Sequence, residues 1–152
     1  MENKKAPEFS INNQHGTTIS LDQFIGKKVL IYFYPKDMTP GCSIEAQGFQ
    51  DLYKEFQDNN IEIIAVSKDS EESHQKFCDA FGLEFNLLAD TKTTMVQDYE
   101  VWKEKSMFGK KYMGISRESF LVDETGIIIK HWDKVTPVSH PKEVLTFVKN
   151  SS

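Results

Sequence analysis

Cys42 ends the run Pro35-Lys-Asp-Met-Thr39-Pro-Gly-Cys42, and its placement implies chemistry more directly than any other in the chain. The pattern that follows is helical, with Ala46, Phe49, Leu52, Tyr53 and Phe56 on one face of residues 43–56. Cys42 therefore falls in the first turn of a helix. Unpaired backbone N–H groups and the positive end of the dipole at such a place favour a thiolate over a thiol, and the thiolate is the nucleophile. The competing reading is a small buried hydrophobe, the commoner fate of a lone cysteine. It fits poorly here, because the Thr39 hydroxyl stands nearby and flanking prolines stiffen the loop that presents the sulfur.

Two further residues are candidates. Arg117 is the only arginine beside seventeen lysines, so one place in the chain needs a planar, permanently charged fork. Cys78 shares an apolar stripe with His74, Phe77 and Phe81 at helical spacing, which by periodicity alone favours core packing. His74 and Cys78, four apart, offer half of a zinc site. No second pair completes it, since His15, His131 and His140 are scattered, so no metal is expected. Trp102, Phe108 and Tyr112 are candidates for the rim of a pocket, although aromatic residues beside a loop are more often packing.

The elements that position these residues can be read in order. Residues 29–34 are uninterrupted aliphatic and aromatic positions, as in a strand buried on both faces, and Pro35 stops it because proline cannot donate to a ladder. Residues 61–66 form a second such run, so strand, helix and strand make a parallel unit with a right-handed crossover. Upstream, β-like pieces around Phe9 and Thr18 flank the turn-rich residues 12–16 as a small hairpin, and Ser20 and Gly26 bracket a helical turn. Downstream, Asp69 or Ser70 caps a helix that Gly82 ends, with a short strand at 85–88 and a short helix at 93–99. Residues 102–113 lack periodicity and are expected to form a loop bordering the site. Residues 117–122 and 127–132 flank Gly126 as an antiparallel hairpin, and residues 141–148 close the chain as a helix with proline in its first turn. The expectation is an α/β layer fold with a mixed central sheet, flanking helices and an N-terminal β-hairpin, forming a single domain over residues 1–152. This pattern alone would also admit a small flavodoxin-like domain.

Composition narrows the function. A chain of 152 residues buries a core without staples, and its two cysteines can make one disulfide but no framework, as befits a reducing compartment. Net charge is −5 with lysines dispersed among acids, which disfavours a nucleic-acid backbone as partner. The charged N-terminus has no apolar core of a signal, and no apolar run approaches a membrane span, so a cytoplasmic protein is expected. No glycine-rich phosphate motif is present, and no nucleotide or other cofactor is expected.

The signature Pro35-x-x-x-Thr39-x-x-Cys42 resembles the peroxidatic motif of the peroxiredoxins, and residues 32–46 look like the bacterioferritin comigratory protein, or Q-type, subgroup. The resemblance extends from about Ala6 to Val148. It implies a thioredoxin-like fold with an N-terminal extension, and a thiol peroxidase reducing hydrogen peroxide and organic hydroperoxides without metal or haem. By the same resemblance Cys42 is the attacking sulfur, Thr39 and the Cys42 N–H hold the peroxide, Arg117 approaches the sulfur through Gly114-Ile-Ser-Arg117-Glu-Ser-Phe120, and Pro35 limits water.

Turnover needs a second thiol. Many Q-type members carry it five residues after the first, where this chain has Gln47. Other members keep it on the helix after the second core strand, which implies that Cys78 resolves Cys42 and that thioredoxin or a similar dithiol recycles the disulfide. Bridging sulfurs that start on separate helices requires local unwinding, since the Cα atoms must come within about 7 Å. A one-cysteine cycle with an external thiol stays open, as do a non-turnover redox sensor and a phosphate cradle at the helix start. The subgroup resemblance implies a monomer.

Overall fold

The computed structural model describes residues 1–151. A small hairpin of β1 (Ser10–Asn12) and β2 (Thr18–Ser20) leads through a 3-10 turn at Leu21–Phe24 into β3 (Lys28–Phe33). Then come α1 (Pro40–Asp51), α2 (Tyr53–Asp58), β4 (Ile61–Ser67), α3 (Glu71–Phe81), β5 (Asn86–Ala89) and α4 (Thr94–Asp98). A second hairpin, β6 (Trp102–Met107) and β7 (Lys110–Ile115), precedes β8 (Glu118–Val122), β9 (Ile128–Trp132) and α5 (His140–Asn150).

Five strands make the central sheet in the order β5-β4-β3-β8-β9. β3 runs parallel to β4 and antiparallel to β8, with Leu30 opposite Ile63 on one side and Leu121 on the other. The pairing is mixed, as in thioredoxin-like folds, and it rules out the all-parallel flavodoxin-like alternative.

The unbroken apolar run of β3 is explained by its two covered faces. Leu30 and Tyr32 point into a core shared with Ala46, Phe49 and Phe56 of the α1 and α2 region and Val144 of α5. Val29, Ile31 and Phe33 point the other way, toward Val96, Tyr99 and Phe120. The period-two alternation thus sorts one hydrophobic run into two cores. Both cysteines belong to the first core.

Two expectations are revised. The helical segment at 43–56 is divided at Leu52 (φ −101°, ψ 3°), which turns the chain between α1 and α2 while Phe49, Tyr53 and Phe56 remain buried. Residues 102–113 are not a loop. They fall in the β6–β7 hairpin, whose two-residue turn has positive φ at both Phe108 (52°) and Gly109 (77°), the geometry that closes a tight hairpin. Its alternation is illegible because most of its side chains face solvent on both surfaces. Of the two capping candidates, Ser70 caps α3, accepting from the Ser73 N–H. Gly82 ends α3 in the left-handed region (φ 63°), as expected. Among the described residues no helix is long and apolar enough to cross a membrane.

Candidate active site

β3, the central strand, ends at Phe33, and residues 34–39 carry the chain from its end to Pro40, the first residue of α1. Cys42 therefore sits in the first helical turn, where its N–H lies among the unpaired donors of the helix start. Only 2 % of the residue is exposed. Arg117, just before β8 on the neighbouring strand, donates from Nη2 to Cys42 Sγ at 3.3 Å. Its Nη1 donates to Glu45 Oε1 at 2.7 Å, so one guanidinium bridges the sulfur and a carboxylate one helical turn further on. Gly41 leaves this approach unobstructed: a Cβ there would stand 3.3 Å from Arg117 Nη2, and the guanidinium would have to give by a few tenths of an ångström.

The electrostatics follow from burial. Glu45 is fully buried, and its removal from water pushes the carboxyl up to about 7 even though Arg117 pulls it down. The second oxygen, Oε2, has no hydrogen-bond partner. Burial works against the Arg117 charge, but Glu45 and Cys42 more than offset it and its pKa is raised. Beneath the sulfur, the Tyr32 phenol stacks on Phe49 at 4.5 Å, and burial, then Glu45 and Cys42, holds it protonated. β6 contributes a further cation. Lys105 is partly buried, and desolvation followed by the Arg117 charge lowers its pKa while Cys42 opposes them.

Of the residues singled out from sequence, Cys42 and Arg117 are brought into contact. Thr39 precedes α1 in extended conformation and caps no helix N–H; its hydroxyl donates to the Lys36 carbonyl at 2.8 Å, and its oxygen keeps lone pairs to accept a hydrogen bond from another group. Pro35 is half-buried at the end of β3. Cys78 is a free, buried thiol on α3, pushed up to about 12 by burial and then by the charges of Asp37 and Asp79. His74 and Cys78 do not make half of a metal site, because His74 uses Nδ1 on Asp37 (2.7 Å) and Nε2 on the Leu88 carbonyl (2.9 Å). Phe108 is 97 % exposed at the hairpin tip, where it packs against nothing.

Sequence reasoning missed Glu45 and Lys105. Glu45 carried a signal: an acid three residues after Cys42, next to Ala46 on a face otherwise apolar. Lys105 carried none, since its orientation depends on a hairpin that the sequence pattern did not reveal.

An arginine-bound sulfur at a helix start can take up an oxygen atom from a substrate whose O–O bond is weak, and on a thioredoxin-like sheet that chemistry defines the thiol peroxidases. More particularly, the chain belongs to the AhpC/TSA family, whose model matches residues 3–131. It is 44 % identical over 149 residues to Peroxiredoxin Bcp of Bacillus subtilis, covering 98 % of this chain and 95 % of that protein. Among solved structures it is similar to Xanthomonas campestris peroxiredoxin Q (TM-score 0.89, 37 % identity, 93 % of this chain and 90 % of that one). A structure of the bacterioferritin comigratory protein from the same organism, solved to explain its alkyl peroxide reduction, matches at TM-score 0.90 and 36 % identity over 94 % and 91 % of the two chains. The protein is a peroxidase acting on hydroperoxides.

Proposed function

We propose that Cys42 is the attacking sulfur, and the observation that carries this reading is the 3.3 Å contact from Arg117 Nη2 to its Sγ at the start of α1. The thiolate attacks the distal oxygen of a hydroperoxide; the S–O bond forms as the O–O bond breaks, and the leaving alkoxide or hydroxide takes a proton to become alcohol or water. Sulfur loses two electrons and becomes a sulfenic acid. Arg117 and the Cys42 N–H face the charge that spreads over sulfur and oxygen in this transition state. The Thr39 hydroxyl, which donates its hydrogen bond to the Lys36 carbonyl, accepts a hydrogen bond from the hydroperoxide O–H and orients the substrate. Pro35 shields the edge of the site.

Cys78 then resolves the sulfenic acid, giving a Cys42–Cys78 disulfide and water, and thioredoxin or a similar dithiol returns both thiols. Support comes from Xanthomonas campestris peroxiredoxin Q, solved as serine variants of two cysteines whose separation in its chain equals that of Cys42 and Cys78 here. The protein works as a cytoplasmic monomer. One observation favours a second reading: Cys78 is buried and strongly protonated, as in a packing residue, which suits a one-cysteine cycle closed by an external thiol.

Two measurements decide. Cys42→Ser is expected to reduce hydroperoxide consumption to the uncatalysed rate, and retained activity would remove the nucleophile assignment. In the wild-type protein, peptide mapping without reductant after one equivalent of hydrogen peroxide is expected to find the Cys42–Cys78 link. A sulfenic or sulfinic Cys42 beside an untouched Cys78 would establish the one-cysteine cycle instead.

A further inference from the structure

Between the Cys42 loop and α3 lies a buried polar cluster that the chemistry above does not use. At its centre is Asp37, 5 % exposed and two residues before Thr39. Its Oδ1 accepts from the Tyr34 hydroxyl (2.5 Å), while Oδ2 receives the Ser73 hydroxyl (2.8 Å) and His74 Nδ1 (2.7 Å). The Asp37 N–H donates to Asp69 Oδ2 at 2.8 Å, which the Ser67 hydroxyl also reaches. The fully buried His74 is anchored at its far side by the Leu88 carbonyl of β5. A side chain from the loop that presents Cys42 is thus fastened to the first turn of the helix that carries Cys78. His74 and Cys78, four residues apart, lie on the same face of that helix.

We propose that Asp37, with Ser73 and His74, is a positioning clamp that holds the two cysteine-bearing segments closed, and that its opening sets how fast Cys78 resolves oxidised Cys42. The proposal rests on Cys78 being the resolving thiol. The two sulfurs are buried on separate helices, so closing the disulfide requires one or both segments to give way, and movement of the 35–42 loop away from α3 breaks the Asp37 contacts. While the clamp is shut, the Asp37 charge also adds to the burial that keeps the Cys78 thiol protonated, so the same carboxylate fastens the loop and quiets the second sulfur.

The clamp decides between two fates of the sulfenic acid. In one, Cys42–SOH and Cys78–SH give the disulfide and water. In the other, a second hydroperoxide oxidises Cys42–SOH to the sulfinic acid and leaves as alcohol or water, which removes the enzyme from the cycle. Weakening the clamp favours the open form and therefore the first fate. A hydrogen bond to a charged group contributes enough that losing one shifts such an equilibrium by about tenfold.

The test compares wild type, Ser73→Ala, Ser73→Thr and Asp37→Asn, reduced and then mixed with graded hydrogen peroxide, quenched with acid and read by intact mass. Ser73→Ala is expected to close the Cys42–Cys78 disulfide about tenfold faster and to lower the sulfinic fraction by a similar factor. Ser73→Thr keeps the hydroxyl and is expected to restore the wild-type partition; Asp37→Asn moves both readouts further in the same direction if it folds. Folded Ser73→Ala with wild-type closure rate and sulfinic fraction overturns the clamp, since a merely structural role lowers the unfolding midpoint without moving the partition. Absence of the disulfide from the wild-type protein overturns the resolving role of Cys78 and the clamp together, so the two failures are distinguishable.

Discussion

At Glu45, burial and charge oppose each other. Its carboxyl is pushed up to about 7 from 4.5, first by desolvation, with Arg117 only partly compensating. The folded state therefore holds the proton more tightly than the unfolded chain does. The stabilisation linked to that proton is fully present below about pH 4.5 and is lost as pH rises through about 7, an effect of about 3 kcal/mol. Glu45→Gln, which cannot titrate, is expected to show a flatter dependence of unfolding free energy on pH between 4.5 and 7 than wild type, measured by urea titration. Parallel curves would mean that Arg117 keeps Glu45 ionised throughout. At this scale Cys42 and Arg117 were legible in the sequence because rarity and position marked them: one cysteine at a helix start, one arginine among lysines. Asp37 was not singled out and His74 read as part of an apolar stripe, because nothing local shows that a loop carboxylate and a helix histidine thirty-seven positions apart converge.

Covered faces made the core strands readable from sequence, whereas the largely exposed β1–β2 hairpin was readable from its turn residues. β3 and β4 announced themselves by unbroken apolar runs, since each lies between two cores. The β6–β7 hairpin reads as loop because its stability comes from ladder pairing and the Phe108–Gly109 turn rather than from a buried stripe. Helix packing contains another feature invisible to periodicity. Gly48 of α1 lies so close to α5 that a Cβ would stand 2.8 Å from Pro141 Cγ, and the proline ring has little freedom to yield. Gly48→Ala gains roughly 1 kcal/mol of helix propensity and loses about 1–3 kcal/mol to overpacking. The expected net result is a lower urea midpoint at unchanged slope, and a raised midpoint would show that α5 can shift aside.

For the whole molecule, the sheet is a wall with different occupants on either side. Cys42 and Cys78 lie in the core formed with α1, α3 and α5, whereas Ala6, Ile19, Val96 and Ile128 fill the other. Forming the disulfide should disturb the first core alone. Hydrogen exchange of the oxidised protein is expected to show faster exchange at the start of α1 and the end of α3, with amides of β3, β4 and β8 still protected. Uniform loss of protection would mean that both cores open together. That the sheet separates two cores was implicit in the alternation of β3, but which core receives both sulfurs depends on how α1 and α3 cross the sheet, and no residue pattern displays that. The same wall gives the protein a natural handle. A dye, a resin or a fused partner attached at exposed Gln97 of α4, whose Met95 and Val96 are buried in the second core, would sit behind the sheet, where tethering leaves the sulfurs free to move.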